Sequence, residues 1–259
     1  MPIVDAYRTD LAYIHDIGYG GIAVAAARRL ITELTNAGCR DGTVVDLGCG
    51  TGILAGHLVK AGYRVIGIDV SEAMVARARA TVPDAEFRVG SFVSTDLPAC
   101  VAVTAVGEVL NYGFDTANDH DARVRLFERV HHALVPSGLL MFDVAGPERK
   151  QPHRTFAEGP DWAVLVEADL EAATGVLRRT ITSFRQIDTL FRRDVEIHRL
   201  MLLDQSTLLR SLRSVGFEAE VMSGYDAVPL PKGIAPFLCR KSGVMPSNTT
   251  LEPSAPVRS

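Results

Sequence analysis

The chain has 259 residues, 47% of them hydrophobic and 22% charged, with a formal net charge of -4 and a pI near 6.0. That is the composition of a globular protein with ample material for a core, and its acidic balance argues against nucleic acid as a main partner. No apolar stretch reaches membrane-spanning length and Met1–Asp5 lacks the charged start of a signal peptide, so no membrane partner and a cytoplasmic location are expected. Cys39, Cys49, Cys100 and Cys239 are scattered with no C-x-x-C spacing, which predicts free thiols and no metal site.

In chain order, residues 5–37 read as two helices: Asp5 is a cap for the first, and Gly18, Gly20 and Gly21 separate it from Ile22–Ala37. Strand and helix patterns then alternate over Thr43–Leu47, Gly52–Ala61, Arg64–Asp69, Glu72–Ala80, Glu86–Val89, Ala102–Val106, Asp121–Leu134 and Leu139–Val144. This alternation predicts an α/β fold with a parallel sheet and right-handed crossovers. Residues 149–154 read as a linker, followed by three strand-like runs, Trp162–Asp169, Val176–Phe184 and Leu190–Met201. Ser206–Val215 returns to a helical pattern that stops at Gly216. Two last strands, Phe217–Met222 and Ala235–Cys239, flank the proline-rich loop 228–233, and the tail from 242 to 259 is expected to be disordered.

One segment carries more chemistry than the rest. Val44-Val45-Asp46-Leu47-Gly48-Cys49-Gly50-Thr51-Gly52 is an apolar run ending in an acid, then alternating glycines, then a helix start. Such a turn lets a ligand approach bare backbone. The next apolar run, Val65–Ile68, also ends in an acid, Asp69. Two strands flanking a glycine turn make a nucleoside-binding half of an open α/β sheet. Gly50-Thr51-Gly52-Ile53-Leu54-Ala55 satisfies the dinucleotide pattern G-x-G-x-x-A, with Asp69 near the spacing of a ribose-binding acid. Asp46 tips the balance the other way, because an acid just before the glycines repels a pyrophosphate and suits an ammonium or sulfonium.

Here the residues resemble the class I S-adenosylmethionine-dependent methyltransferases, whose first motif reads much like Val45–Gly52. Gly67–Met74 looks like the second motif, Phe87–Phe92 the adenine-contacting turn, Ala105–Tyr112 the fourth motif, and Leu134–Asp143 the helix end and fifth strand. In the third of these, Ser91 stands where the family often has an acid. The resemblance implies a Rossmann-like doubly wound sheet, mostly parallel with an antiparallel last strand, binding S-adenosyl-L-methionine and releasing S-adenosyl-L-homocysteine. It places Asp46, Gly48, Cys49, Gly50 and Gly52 at the methionine and ribose, Asp69 on the ribose hydroxyls, and Val70, Met74, Ser91 and Phe92 around adenine, with Gly107 and Tyr13 beside them. The strand run after residue 155 resembles the antiparallel sheet inserted in small-molecule N- and O-methyltransferases, especially amino-sugar ones, where it roofs the site or builds a dimer. The implied domain is residues 1–241: a helical cover over 5–37, a cofactor core over 43–145, an inserted sheet over 155–203 and a return to the core sheet over 204–241.

Methyl transfer asks little of side chains, since a methyl on sulfonium is already activated and alignment with water exclusion does most of the work. A base serves an acceptor that must lose a proton. His198 beside Asp194 and Glu196, Glu108 after the fourth strand, and His15 ahead of the Gly18–Gly20 bend are the catalytic candidates. The competing roles are a solvated strand face for His198 and a helix-end cap for His15. Asn111, Tyr112 and Tyr225 are the substrate-side candidates. The arginines Arg178, Arg179, Arg185, Arg192, Arg193 and Arg199 alternate with acids and read as exposed mixed-charge strand faces, and Trp162 reads as core.

The expected function is transfer of a methyl group to the nitrogen or oxygen of a small molecule. Three alternatives stay open: the same cofactor used for cyclisation or aminocarboxypropyl transfer, a non-catalytic cofactor-binding partner, and a nicotinamide oxidoreductase. The inserted sheet is expected to serve either as a lid or as a homodimer interface.

Overall fold

A computed structural model describes residues 6–242 apart from 227 and 229. Asp5, Pro229 and the tail beyond 242 therefore lie outside the described residues. The chain opens with helices α1 (Thr9–Gly18) and α2 (Gly21–Asn36) and continues as β1 (Thr43–Leu47), α3 (Ile53–Lys60), β2 (Arg64–Asp69), α4 (Glu72–Thr81), β3 (Glu86–Val89), β4 (Cys100–Ala105), α5 (His120–Ala133) and β5 (Leu134–Ala145). β6 (His153–Gly159), β7 (Trp162–Glu171), β8 (Val176–Ile187) and β9 (Leu190–Met201) follow, then α6 (Gln205–Val215), β10 (Phe217–Val221) and β11 (Ile234–Lys241).

Seven strands form one sheet in the order β10-β11-β5-β4-β1-β2-β3. β1 pairs in parallel with both β2 and β4, whereas β11 runs antiparallel to β5 and β10. Strand order reverses between β1 and β4, and the crevice beyond their carboxyl ends is where such sheets bind ligands. Period-two alternation sends neighbouring residues to opposite faces. Val45, Val103 and Leu140 pack with Leu126, Phe127 and Leu212 from α5 and α6, while Val44, Ala102 and Leu139 pack with Leu30, Leu58 and Val75 from α2, α3 and α4.

The inserted region is a four-stranded antiparallel sheet, β6-β7-β8-β9, not the three strands expected. The run read as a linker ends in β6, whose residues pair one-to-one with β7 from His153↔Ala168 to Gly159↔Trp162. β6 is an edge strand with no buried residue, so it carries none of the alternation that marked the other three. α1 wedges between this sheet and the core: Leu11 and Ile14 pack on Trp162, Val164 and Ile181. Trp162, 7% exposed, is core as expected.

The arginines of the insertion are not simply a surface face. Arg179 is buried and grips Glu108 from two nitrogens at 2.7 and 2.8 Å. Arg192 and Arg185 both reach buried Asp10 on α1, at 2.5 and 3.3 Å. Their partners come from other elements, which an in-strand reading of charge could not see. Among the described residues no helix is long and apolar enough to cross a membrane, and no acid, His and Cys cluster has metal-site geometry.

Candidate functional site

The glycine turn between β1 and α3 is shaped for close approach. Gly48 has φ +65° and a Cβ there would stand 2.4 Å from Val109 Cγ2, so no other residue fits without displacing its neighbour. Gly50 has φ +53° and nothing within 4 Å of the position a Cβ would take, leaving open space over the turn. Asp69, at the end of β2, fixes it: one carboxylate oxygen accepts from Gly50 N–H and the other from Ser71 N–H, each at 2.9 Å. The carboxylate's four lone-pair sites leave it able to accept from a ligand hydroxyl as well. Burial raises the Asp69 pKa against the pull of these amides.

Above the turn lies a two-lobed cleft. The first lobe, about 700 Å³ of atom-free space, is lined by Gly48, Gly50, Asp69, Val70, Met74, Ser91, Phe92, Gly107 and Tyr112 among the expected residues, with His15 at its edge. The second, about 360 Å³, is lined by His15, Asp46, Gly48, Cys49, Gly50 and Thr51. Asp46 is 2% exposed and accepts from Thr104 Oγ1 at 2.6 Å, across the Asp46↔Thr104 register of β1 and β4. Burial lifts its pKa to about 7, with the neighbouring Asp69 charge adding and the Thr104 hydrogen bond opposing. Two polar atoms at the second lobe, Thr51 Oγ1 and His15 Nδ1, are buried without a hydrogen-bond partner among the described residues.

Several expected residues stand elsewhere. Tyr13 faces the inserted sheet: its hydroxyl donates to Asp161 at 2.6 Å and the Arg185 guanidinium lies 3.8 Å over its ring. Gly52 sits behind the turn, where a Cβ would meet Phe87 and Ala78 at 3.1 and 3.2 Å. Asn111 is fully buried and is a tether, bonded to Ala145 N–H, Ala145 C=O and Met201 C=O. Tyr225, also fully buried, donates to Asp143 Oδ2 at 3.1 Å. Glu108, the N-cap of a short 3-10 turn at φ +61°, is occupied by Arg179 and does not line the cleft. Tyr13 as a cofactor contact, Glu108 as a catalytic group and Asn111 and Tyr225 as substrate contacts are the expectations here, and the fold itself uses their hydrogen bonds.

His198 is fully buried, not on a solvated face. Its Nε2 lies 2.9 Å from Glu196 Oε2, and that carboxylate also accepts from the N–H groups of Tyr7 and Arg8 at 2.6 and 2.9 Å. A carboxylate so loaded with donors is an acceptor toward Nε2–H, which leaves Nδ1 with the lone pair. The imidazole packs on Tyr7, Tyr112 and Phe114, ring centroids 4.8, 5.8 and 5.0 Å away, and those three rings wall the first lobe. His198 thus stands one ring behind the cleft surface.

The sequence reading missed Tyr7, Phe114, Asp115, Thr104 and Asp143. Tyr7 OH lies 2.8 Å from Tyr112 OH and its carbonyl accepts from Ser71 Oγ, so the N-terminal segment is strapped over the first lobe. Asp115, also in that lobe, accepts from Ser91 Oγ at 2.5 Å, supplying an acid beside the position where Ser91 replaces one. Asp143, at the end of β5, accepts from Gly107 and Glu108 N–H and holds the turn after β4; burial raises its pKa to about 6. It is an acid near the end of an apolar strand run, Leu139–Ala145, and that signal was present in the sequence. Tyr7 and Phe114 sit in irregular segments that carry no pattern.

Residues 44–138 match the family model described as a methyltransferase domain. A putative methyltransferase of Geobacillus sp. (strain WCH70) is 36% identical over 107 residues, covering 39% of this chain and 41% of that protein. The chain spans less than half the length of the first curated relatives it matches. Among solved structures, an S-adenosylmethionine-dependent methyltransferase from Clostridium acetobutylicum ATCC 824 superposes with a TM-score of 0.74 at 15% identity, covering 89% of this chain and 97% of that one. The sugar N-methyltransferase KedS8 from Streptoalloteichus sp ATCC 53650 gives 0.71 at 20% identity, covering 89% and 92%. At such identities the likeness is one of fold.

Proposed function

From a chain whose residues 44–138 are a methyltransferase domain set in a class I methyltransferase fold, we propose an enzyme that moves a methyl group from S-adenosylmethionine to the nitrogen or oxygen of a small molecule. One observation carries the reading: Asp46 and Asp69 end adjacent parallel strands on either side of an open glycine turn, and each lines a lobe of the same cleft. Carboxylates in both lobes, Asp46 buried and Asp69 half-buried, repel a pyrophosphate and suit a ligand with a cationic end and ribose hydroxyls.

When bound, S-adenosylmethionine would supply a methyl group activated on sulfonium, which would pass to the acceptor as the methyl–sulfur bond breaks and S-adenosylhomocysteine leaves. Asp69 accepts from the ribose hydroxyls, and Val70, Met74 and Phe92 pack on the base, with Ser91 and Asp115 at its polar edge. Asp46 holds the ammonium. Tyr7, Tyr112 and Phe114 wall the space open to an acceptor, where the two hydroxyls orient it and the rings exclude water. Burial raises the pKa of both phenols, Tyr7 well above the ordinary value, so they act as donors and not as bases. Glu108 is held by Arg179 and His198 stands behind the aromatic wall with its Nε2 on Glu196, so both position the cleft rather than touch the acceptor. Amines and hydroxyl compounds, amino sugars first among them, are the acceptor class.

The outer face of the inserted sheet is the surface for a second copy. Phe156, Leu165, Phe191 and Ile197 are 61%, 42%, 58% and 45% exposed, and the Phe156↔Leu165 register puts the first two side by side.

The function is tested by incubating the protein with methyl-labelled S-adenosylmethionine and a panel of amino sugars, amines and hydroxylated small molecules, with mass spectrometry of the products. A labelled methyl on an acceptor is the expected result. Turnover of the cofactor with no labelled acceptor would contradict it.

A further inference from the structure

Four of the described residues line both lobes of the cleft: His15, Gly48, Gly50 and Val106. With a nucleoside in the first lobe and a cationic end in the second, the atom that joins them must pass between these four. Two are glycines and one is a valine, so His15 is the one side chain at the junction that can carry a proton. Its ring also reaches the wall of the acceptor space, meeting the Tyr7 ring edge-on at 5.6 Å between centroids. Tyr19, the residue after α1, stacks on it at 6.2 Å, so the ring is held from two sides.

The hydrogen bonding of this ring differs from that of a helix-end cap. Such a cap puts a ring nitrogen on a terminal carbonyl, whereas His15 Nδ1 is buried with no partner among the described residues. An orphaned acceptor is less costly than an orphaned N–H, which favours the tautomer with its lone pair on Nδ1. Burial holds the His15 pKa below its ordinary value, against the pull of Asp16, so the ring is neutral at physiological pH. The acids and histidine nearest the acceptor space are already engaged: Glu108 by Arg179, Asp115 by Ser91 and His198 by Glu196.

We propose that His15 is the catalytic base of the methyl transfer, with Nδ1 taking the proton that the acceptor loses. The inference rests on the S-adenosylmethionine reading. A lone pair on the acceptor nitrogen or oxygen forms the bond to the methyl carbon, and the carbon–sulfur bond breaks with its electron pair going to sulfur. The acceptor's proton passes to Nδ1, and the imidazolium so formed returns it to water. A neutral imidazole suits the junction for a second reason, since a charged ring would repel a sulfonium.

The test starts with an NMR pH titration of the histidine rings in the full chain, saturated with S-adenosylmethionine or with S-adenosylhomocysteine. The two ligands differ at sulfur by one methyl group and one positive charge. Asp16 on α1, Tyr7 and Tyr19 against the ring, and Asp46, Cys49 and Asp69 around the lobes face His15 in both complexes alike. The difference between the complexes therefore reads the sulfonium. The His15 pKa should lie at least about one unit lower with S-adenosylmethionine, whereas His131 and His132 at the end of α5 should not separate the two ligands. Catalysis is read with the acceptor that takes up label in the methyl-transfer assay. His15→Gln should lower kcat about 100-fold, keep S-adenosylhomocysteine affinity within about threefold, and remove the acid limb of the wild-type kcat–pH profile. His15→Asn repeats the measurement where His15→Gln fails to fold. An equal His15 pKa in the two complexes overturns the proposal even where both variants fail to fold, and so does an acid limb retained in a folded variant. Binding of neither ligand overturns the S-adenosylmethionine reading, and binding of both with no acceptor labelled overturns the proposed transfer; this inference falls with either.

Discussion

Asp46 couples ligand binding to pH. Burial first, then the nearby Asp69 charge, raises its pKa to about 7, so near neutrality the free site is part protonated. An ammonium placed beside it favours the ionised form, and by linkage affinity rises with pH. S-adenosylhomocysteine should bind about tenfold more tightly at pH 8 than at pH 6, with proton release on binding. Asp46→Asn should flatten that profile, measured by titration calorimetry in buffers of different ionisation enthalpy. The sign for folding is opposite. A carboxyl raised above its ordinary range keeps its proton longer in the folded state, so the free protein loses this contribution as pH rises through about 7. Asn111 gives a contrasting residue-scale prediction. Its three bonds join the end of β5 to β9, so Asn111→Ala should cost about 2–4 kcal/mol in urea unfolding with little change in cofactor affinity in the folded fraction. Asp46, Asp69 and the glycines were legible because they end apolar runs in fixed order. Asn111 and Tyr225 were misjudged because a polar residue near the right strand end serves a backbone tether as readily as a ligand, and only the pairing partner tells them apart.

At the scale of elements, the inserted sheet is joined to the core by charge. Arg179 from β8 and Glu108 after β4 form a largely buried bidentate pair, and Asp10 of α1 receives Arg192 and Arg185 from β9 and β8. Breaking a buried pair by removing one partner leaves an uncompensated charge and costs about 3–5 kcal/mol. Glu108→Gln should therefore destabilise the protein by about 3 kcal/mol, and more than the double replacement Glu108→Leu with Arg179→Met, which removes both charges. A double-mutant cycle on chemical unfolding checks this; a double variant less stable than the single one would contradict it. β1 and β2 were readable from sequence to the residue, because buried parallel strands are apolar runs bounded by turns, whereas β5 opens at Leu134, five residues before the expected Leu139. β6 was not, since an exposed edge strand has no buried face to set an alternation. The arginine pairings were invisible for a related reason: their acids lie on elements far away in sequence.

On the scale of the whole molecule, two sheets divide the work. The seven-stranded sheet presents its carboxyl edge to the cleft, while the four-stranded sheet meets α1 with one face and leaves Phe156, Leu165, Phe191 and Ile197 exposed among charged residues on the other. A patch of that kind favours self-association. The protein is expected to sediment as a dimer in analytical ultracentrifugation, and Leu165→Arg should shift it to monomer without loss of cofactor binding; a wild-type monomer at all concentrations would contradict the assignment. The central claim is the identity of the nucleoside, and the measurement that bears on it most directly is calorimetric titration with S-adenosylhomocysteine and, in parallel, NAD, repeated on Asp69→Ala. The account predicts binding of S-adenosylhomocysteine but not NAD, with affinity falling at least about tenfold when the Asp69 carboxylate is removed. Binding of NAD in preference to S-adenosylhomocysteine would contradict the reading of the cleft and the function built on it.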